Sequence, residues 1–320
     1  MRATGPATTT RNDASHMSNQ LMLGLHFFRE LLSRSYEYPR VPEPRLVMDE
    51  PESVRQYRDA GLATGNGSSI YLYNLLLLTS AVRPGSTVVD LACGPANLLI
   101  ELAKLHPEAH FIGVDLSAEM LHWAEQLKAN AGVTNVRFIE ADITDIQQLP
   151  PNCADLVMST LSLHHLPDIE LLGKCFKEIA RILKSGGAVH LMDFASLKRN
   201  ATARYFVYER TKGLGEFLAK DYEYSLRAAY RLEEFAQLAE TLRAAAPHLH
   251  VRKTFGVPFL MALSTLNAAR PDAQRCAALA RYWQSMLPPQ RADFNAMRLF
   301  FKLDGWDVPH PGRWSSVAAT

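Results

Sequence analysis

The feature of this sequence that most constrains its fold is a regular alternation of short β-branched segments with longer amphipathic ones, beginning at residue 86. The runs STVVD, HFIGVD, VRFIEAD, ADLVMST and AVHLMDF each have the length of a strand. Segments with helical periodicity, such as NLLIELAKLHP and SAEMLHWAEQLKANAG, lie between several of them. Strands and helices that alternate in this way predict an α/β fold with a parallel sheet and helices on both faces.

The regions on either side of this alternation are predicted to be mainly helical. A break at EYPRVPEPR, with three prolines in six residues, predicts an extended linker within the first of them. HVRKTFG and VPFLMALST are predicted to be two late strands. The predicted organisation is a disordered tail (1–20), a helical N-terminal cap (21–85), an α/β domain (86–265) with a helical insert (196–246), and a C-terminal helical extension (266–320).

Composition and charge exclude several classes of function. The 320 residues carry a net charge of +1, so no strongly basic surface favours a nucleic-acid partner. The longest apolar run, SSIYLYNLLLLTSAV, is short for a membrane span, and the polar N-terminus lacks an apolar signal-peptide core. We therefore expect a cytoplasmic protein without a membrane partner. The four cysteines show no CxxC spacing and HExxH is absent, so neither a disulfide framework nor a metal site is expected.

The strand predicted at TVVD ends on Asp90, and a loop of small residues follows it. Ligands of open α/β sheets bind outside the carboxyl ends of the strands, and small residues let the backbone approach a ligand closely. Asp115 ends the second predicted strand, Asp142 follows the third and Asp193 lies near the end of the fifth. A dinucleotide fingerprint would place GxGxxG in the first loop, where the Asp90 carboxylate would repel a pyrophosphate. The pattern instead favours a ligand that carries an ammonium group, a sulfonium and a ribose diol.

On these residues, the segment 86–195 resembles the class I S-adenosylmethionine-dependent methyltransferases. VVDLACGPA resembles the first motif of that family, GVDLSAEML its acidic ribose-binding loop, EADITD its adenine-binding loop, and ADLVMSTLSLHHLPD its fourth-strand motif. The resemblance implies a Rossmann-like fold with a seven-stranded, mostly parallel sheet and S-adenosyl-L-methionine as cofactor. The first motif departs from the usual DxGxGxG, because Ala92 and Ala96 replace two of its glycines. The flanking segments resemble a bacterial subgroup that acts on small molecules.

The resemblance also implies a cofactor site. It places the first-motif loop against the methionine part of the cofactor, Asp115 at the ribose hydroxyls and Asp142 at the adenine amino group. Read without the resemblance, Asp115 could be a solvated loop acid before a helix cap, and Met120 could belong to the core. The complete predicted cofactor set is Asp90, Ala92, Gly94, Asp115, Leu116, Met120, Asp142, Ile143, Ser159 and Thr160.

His164 and His165, in the fourth-strand motif, are the predicted catalytic residues because a histidine can act as a general base. The alternative is that the pair packs against the edge of the sheet. The predicted acceptor-binding residues lie outside the sheet and are Tyr57, Tyr71, Tyr73, Tyr224 and Arg227.

The spacing of these acceptor-binding candidates limits how they can act together. Tyr71 and Tyr73 are two residues apart and face different sides of a helix, so both cannot line one pocket. Tyr224 and Arg227 are three apart and could share a face that holds a carboxylate or a phenol. A solvated face with Arg–Glu pairs is the alternative.

The predicted function is methyl transfer from S-adenosylmethionine to an O, N, S or C atom of a small molecule, by in-line displacement. Some acceptors lose no proton and would need no base. The alternatives are a methyltransferase acting on protein or RNA, a non-catalytic cofactor-binding regulatory protein, and a nicotinamide dehydrogenase, which the Asp90 loop disfavours. The apolar C-terminal stretch could cover the pocket or form a homodimer interface, and the sequence does not choose between them.

Overall fold

The structure, a computed structural model, describes residues 22–45, 55, 58–59, 61–212, 216–257 and 259–314. The predicted N-terminal tail and Tyr57, one of the predicted acceptor-binding residues, lie outside the described residues.

Seven strands form a single sheet. The sheet has the order β3-β2-β1-β4-β5-β7-β6; strands β1 to β5 are parallel, and β7 is antiparallel to both β5 and β6. The predicted seven-stranded, mostly parallel sheet is therefore confirmed. Because β1 has β2 on one side and β4 on the other, the chain order reverses here, and the carboxyl ends of these strands define the expected ligand site. The strands are Thr87–Leu91 (β1), His110–Asp115 (β2), Val136–Glu140 (β3), Ala154–Thr160 (β4), Leu183–Phe194 (β5), His250–Lys253 (β6) and Leu260–Ser264 (β7).

Helices flank the sheet and precede and follow it. Gly186-Gly187 predicts the end of the helix before β5, since glycine commonly follows the last turn of a helix. That helix ends earlier, at Ile182, because the chain joins the sheet directly at Leu183, which pairs with Ala154. Gly132 predicts a helix end in the same way, and there a helix does end, with Gly132 in the left-handed conformation. The helices are 22–32 (α1), Ser68–Leu78 (α2), Asn97–Leu105 (α3), Ala118–Ala131 (α4), Ile169–Ile182 (α5), Asn200–Thr211 (α6), Glu216–Ala228 (α7), Leu232–Ala239 (α8), Ala273–Ser285 (α9) and Pro288–Leu303 (α10).

Each face of the sheet is covered by its own apolar core. Val88 of β1 belongs to one core and the next residue, Val89, to the other, as the alternation of side chains along a strand requires. The first core joins α2, α3, α9 and α10 to the sheet. The second contains α5 and α8, where Phe176 and Phe235 meet edge to face with ring centroids 5.8 Å apart. Burial on both faces explains why the parallel strands are nearly continuous apolar runs.

The position of Tyr73 corrects a prediction. Tyr73 was expected to bind the acceptor, but its side chain is fully buried in the first core. Its ring stacks on Phe301 of α10 with centroids 5.1 Å apart, and its hydroxyl donates a hydrogen bond to the Trp306 carbonyl at 3.1 Å. Tyr73 therefore anchors the C-terminal helices to α2.

The C-terminal helices pack against α2, away from the ligand cavity described below. Phe294, Phe301 and Trp306 are each buried in the first core. No side chain from 266–314 lines that cavity. The expectation that this stretch could cover the pocket is therefore wrong, and a homodimer stays a prediction. No helix within the described part of the chain is long and apolar enough to span a membrane.

Candidate active site

A cavity of about 720 Å³ lies at the carboxyl ends of the parallel strands. One end of it is lined by the loops after β1 and β2, and the other by the loop after β4 and by residues of α7. Its volume lies in the usual range for a site that encloses a small-molecule ligand. The cavity therefore occupies the place that the sheet topology predicts.

The loop after β1 forms the floor of the first end. Ala92, Gly94 and Ala96 all adopt the left-handed conformation, with φ of 53°, 54° and 61°. This conformation costs an L-alanine only about 1–2 kcal/mol. The loop therefore tolerates two alanines in place of glycines of the family motif. A Cβ placed on Gly94 would meet only the Met120 Sδ, at 4.0 Å. The loop surface is thus open to the cavity, and backbone can approach a bound ligand.

The Asp115 carboxylate holds this loop against the end of β2. Its Oδ2 accepts a hydrogen bond from the Gly94 N–H at 2.7 Å, and its Oδ1 accepts one from the Ser117 N–H at 2.9 Å. Burial raises the pKa of Asp115, and these two hydrogen bonds partly oppose the shift. Asp115 lines the cavity, so the same carboxylate both shapes the loop and faces a ligand.

Asp90 lies at the end of β1, and its side chain is not among those that line the cavity. Only 5% of its surface is exposed. Burial, reinforced by the charge of Asp115, raises the pKa of Asp90 well above its usual range. Burial and the Asp90 charge also raise the pKa of Tyr71 to about 12. The prediction that Asp90 contacts the cofactor directly is therefore not supported by its position.

The same end of the cavity is lined by Leu116, Met120, Asp142 and Ile143, whose contact with adenosine stays a prediction. Asp142 is exposed, and its Oδ1 accepts a hydrogen bond from the Thr144 N–H at 2.8 Å. The sequence motif of this loop therefore does bring the predicted residues to one surface.

The last two residues of β4 differ in their roles. Thr160 lines the cavity, and its buried Oγ1 has no hydrogen-bond partner among the described residues. Ser159 faces inward, and its hydroxyl donates to the Leu91 carbonyl at 2.8 Å and lies 2.6 Å from the Ser162 hydroxyl. Since adjacent strand residues point to opposite faces, the Thr160 side chain lines the cavity and the Ser159 side chain does not, so the position of Ser159 does not support its predicted contact with the cofactor.

A cluster of ionisable groups lies at the other end of the cavity. His164 Nδ1 is 2.6 Å from Asp193 Oδ1, and the His164 N–H donates to Asp193 Oδ2 at 2.8 Å. Glu43 Oε1 lies 3.5 Å from His164 Nε2, and Glu43 Oε2 lies 3.2 Å from His165 Nδ1. We refer to Glu43, His164 and His165 as the histidine–glutamate cluster, and Asp193 supports it from behind.

The charges of this cluster shift its pKa values strongly. Burial alone would lower the pKa of His164, but the charges of Asp193 and Glu43 and the hydrogen bond to Asp193 raise it to about 10. Burial would raise the pKa of Glu43, but the contacts with His164 and His165 hold it well below its usual range. At neutral pH His164 is therefore a proton donor rather than a base.

The proline-rich segment 33–45 brings Glu43 to the cavity. Arg40 fixes this segment to the loop after β4, because its guanidinium donates hydrogen bonds to the carbonyls of His164 at 2.9 Å and Leu166 at 2.6 Å. The guanidinium also lies over the ring of Tyr230, 3.9 Å from its centroid. Sequence reading missed Glu43. The sequence did contain a signal for this residue: its carboxylate lies between two prolines, whose rings fix the backbone.

Aromatic and apolar side chains form the remaining wall of this end. Tyr71 and Tyr224 line the cavity, and their binding of the acceptor stays a prediction. Arg227 does not; its side chain is 46% exposed and lies 3.8 Å from Glu223, which is the alternative of a solvated Arg–Glu face. The prediction that Arg227 binds the acceptor is therefore wrong. The wall also contains three aromatic side chains that were not predicted: Phe194, Tyr222 and Phe259.

The strand order and the site together define a methyltransferase of the class I type, and comparisons with known proteins agree. A family model described as a methyltransferase domain matches residues 83–230. The demethylmenaquinone methyltransferase of Listeria monocytogenes serotype 4a (strain HCC23) is 31% identical over 172 residues, covering 51% of this chain and 70% of the relative. The protein of the same name from Geobacillus stearothermophilus is 31% identical over 171 residues, covering 51% and 71%.

A solved structure described as a SAM dependent methyltransferase from Aquifex aeolicus gives a TM-score of 0.47 at 17% identity, covering 68% of this chain and 99% of the other. The chain belongs to the class I S-adenosylmethionine-dependent methyltransferases, and S-adenosylmethionine is its cofactor. The open loop surface at Gly94 and the unpartnered Thr160 hydroxyl fit a cofactor at the first end of the cavity.

Proposed function

We propose that the protein methylates a small, largely apolar acceptor that carries an aromatic ring and a hydroxyl group. The observation that carries the proposal is the continuity of one cavity from the Asp115 end to the histidine–glutamate cluster, with Phe194, Tyr222 and Phe259 in its wall. Aromatic side chains favour a ring, and a buried polar cluster favours one convergent hydroxyl. The names of the relatives, demethylmenaquinone methyltransferases, support a quinol-like acceptor.

At the first end, this proposal gives each residue a binding role. Asp115 would bind the ribose hydroxyls, the backbone from Ala92 to Gly94 would lie against the methionine part, and Asp142 with Ile143 would meet the adenine. Thr160 has the free hydroxyl that could face the region between the two ends. When bound, the cofactor supplies a methyl group that its sulfonium already activates. The protein is then left with positioning the acceptor and excluding water.

At the second end, the acceptor hydroxyl would meet the histidine–glutamate cluster. His164 is held by Asp193, and His165 is oriented by Glu43, so both imidazoles have fixed directions. A fixed imidazole beside the reacting hydroxyl can accept its proton as the methyl group is transferred. Of the two predicted catalytic residues, His165 fits this role because His164 keeps its proton at neutral pH.

The proposal is tested with methyl-deuterated S-adenosylmethionine and mass spectrometry. Wild-type protein is incubated with a panel of hydroxylated aromatic compounds, including a demethylmenaquinol analogue, and with a bacterial metabolite extract. We expect a labelled small-molecule product whose yield falls with Asp115→Asn at limiting cofactor and is unchanged with the matched surface variant His122→Asn. Label confined to protein or RNA would contradict the small-molecule acceptor. Intact binding of S-adenosylhomocysteine without any labelled product would contradict the activity.

A further inference from the structure

The three ligand-type atoms of the histidine–glutamate cluster converge on one point of the cavity wall. Glu43, His164 and His165 each offer one such atom, and these atoms all lie within 4.8 Å of one another. The contacts from Glu43 to the two imidazoles measure 3.5 Å and 3.2 Å. Ligands of a tetrahedral zinc ion, at bonds of about 2.0–2.1 Å, stand roughly 3.3 Å apart. The two contacts with Glu43, which involve different oxygens of its carboxylate, are therefore close to the separations in a metal site, and the third pair of atoms lies within 4.8 Å.

The orientation of His164 is that of a metal ligand. Its Nδ1 is engaged by Asp193, which leaves Nε2 directed at Glu43. The side chain is 2% exposed, and Nε2 has no hydrogen-bond partner among the described residues. Metal-binding histidines almost always use their second ring nitrogen on a carboxylate or carbonyl in this way.

The surroundings of Glu43 point in the same direction. Its side chain is only 6% exposed, and the Ser225 hydroxyl donates a hydrogen bond to Oε1 at 2.8 Å. Pro42 and Pro44 restrict the backbone on either side of it. Two nearly buried carboxylates, Glu43 and Asp193, thus face two imidazoles, and a divalent cation in place of the Nε2 proton would balance their charges.

We propose that Glu43, His164 and His165 bind a divalent transition-metal ion of the zinc type at the acceptor end of the cavity, supported by Asp193. Two imidazoles and one carboxylate are a donor set that such ions favour, and three protein ligands leave positions open. All three residues line the cavity, so the open positions face it. The role of the ion rests on the proposed function and, when the ion is bound, replaces His165 as the means of deprotonation: the ion would bind the acceptor hydroxyl oxygen and favour loss of its proton to solvent. The expectation of no metal site rested on local spacing motifs, and such motifs do not show ligands that distant segments bring together.

The test measures metal binding directly. Full-length protein is freed of metal with a chelator and then titrated with Zn²⁺ by equilibrium dialysis and elemental analysis, and with Co²⁺ by visible absorption. We expect one ion per chain and a Co²⁺ spectrum with the intense bands of a four- or five-coordinate site. Glu43→Gln and His165→Asn should each weaken binding by at least about 10-fold, while the surface control His122→Asn binds as the wild type does.

The outcomes separate the metal site from the methyltransferase activity. No stoichiometric ion in the wild type, or equal affinity in His165→Asn and the control, would overturn the proposal. S-adenosylhomocysteine binding and circular dichroism, unchanged in both cluster variants, exclude misfolding as the cause of lost metal. Methyl transfer that survives complete metal removal would overturn the proposed role of the ion but leave the activity intact. Metal binding by a protein that shows no methyl transfer would support the metal site and contradict the proposed activity.

Discussion

The two ends of the cavity are built in different ways. The cofactor end is made mainly by the short loops that directly follow β1, β2 and β3. Its acids lie at or just after the ends of these strands, as Asp115 and Asp142 do. The acceptor end brings together Glu43 from the proline-rich segment, His164 from the loop after β4, Phe194 from β5 and Tyr224 from α7. The first end is thus local in sequence, and the second exists only when distant segments pack together. Substitutions should therefore affect ligand binding at the first end and both stability and chemistry at the second.

The largest expected effect concerns stability at the acceptor end. His164→Gln removes the imidazole that pairs with Asp193, a side chain that is only 1% exposed. Breaking a buried ion pair on one side costs about 3–5 kcal/mol, so we expect the free energy of unfolding to fall by about that amount in urea denaturation. His122→Gln, on the exposed face of α4, should stay within about 0.5 kcal/mol of the wild type. Equal stabilities of the two variants would show that the cluster contributes nothing to folding.

The next effect concerns the cofactor end. Asp115→Asn removes the charge that accepts two backbone hydrogen bonds and is proposed to bind the ribose. Hydrogen bonds to charged groups contribute about 1.5–3 kcal/mol, so S-adenosylhomocysteine should bind about 10- to 100-fold more weakly by calorimetry. Asp142→Asn, at an exposed carboxylate, should weaken it less. An affinity of Asp115→Asn equal to that of the wild type would refute the ribose assignment.

A smaller effect separates the two tyrosines of α2. Tyr73→Phe removes the hydrogen bond to the Trp306 carbonyl and should lower the free energy of unfolding by about 1 kcal/mol without changing KM for the acceptor. Tyr71→Phe alters a cavity-lining hydroxyl and should change KM or kcat while leaving thermal stability close to that of the wild type. The reverse assignment of effects would contradict the placement of these side chains.

The smallest effect tests the wall formed by α7. Arg227→Ala removes a half-exposed ion pair with Glu223, which we expect to change stability by less than about 0.5 kcal/mol and KM not at all. Tyr224→Ala, which enlarges the acceptor end of the cavity, should raise KM. A clear rise of KM in the Arg227 variant would restore that residue to the acceptor site.

Much of the fold could be predicted from the sequence. The runs HFIGVD and ADLVMST coincide with β2 and β4, because strands buried on both faces are short continuous apolar segments. The helix before β5 was predicted to be too long, since the glycine pair resembles a helix end while pairing of Leu183 with Ala154 decides the boundary. The sequence could not show which of Ser159 and Thr160 faces the cavity. Both belong to the same strand motif, and the pleat of the folded strand decides the direction of each side chain.

The ends of the strands, and the acids and small residues that follow them, could be predicted because these properties depend on neighbours in the chain. Asp115 at the end of β2 and the small residues Ala92 and Gly94 after β1 are of this kind. Packing between distant segments brings Glu43 to His164 and His165, and it places Tyr73 in the core while Tyr71 lines the cavity. Contacts between distant segments depend on how whole elements pack, and a local sequence pattern carries no information about which partner a side chain will meet.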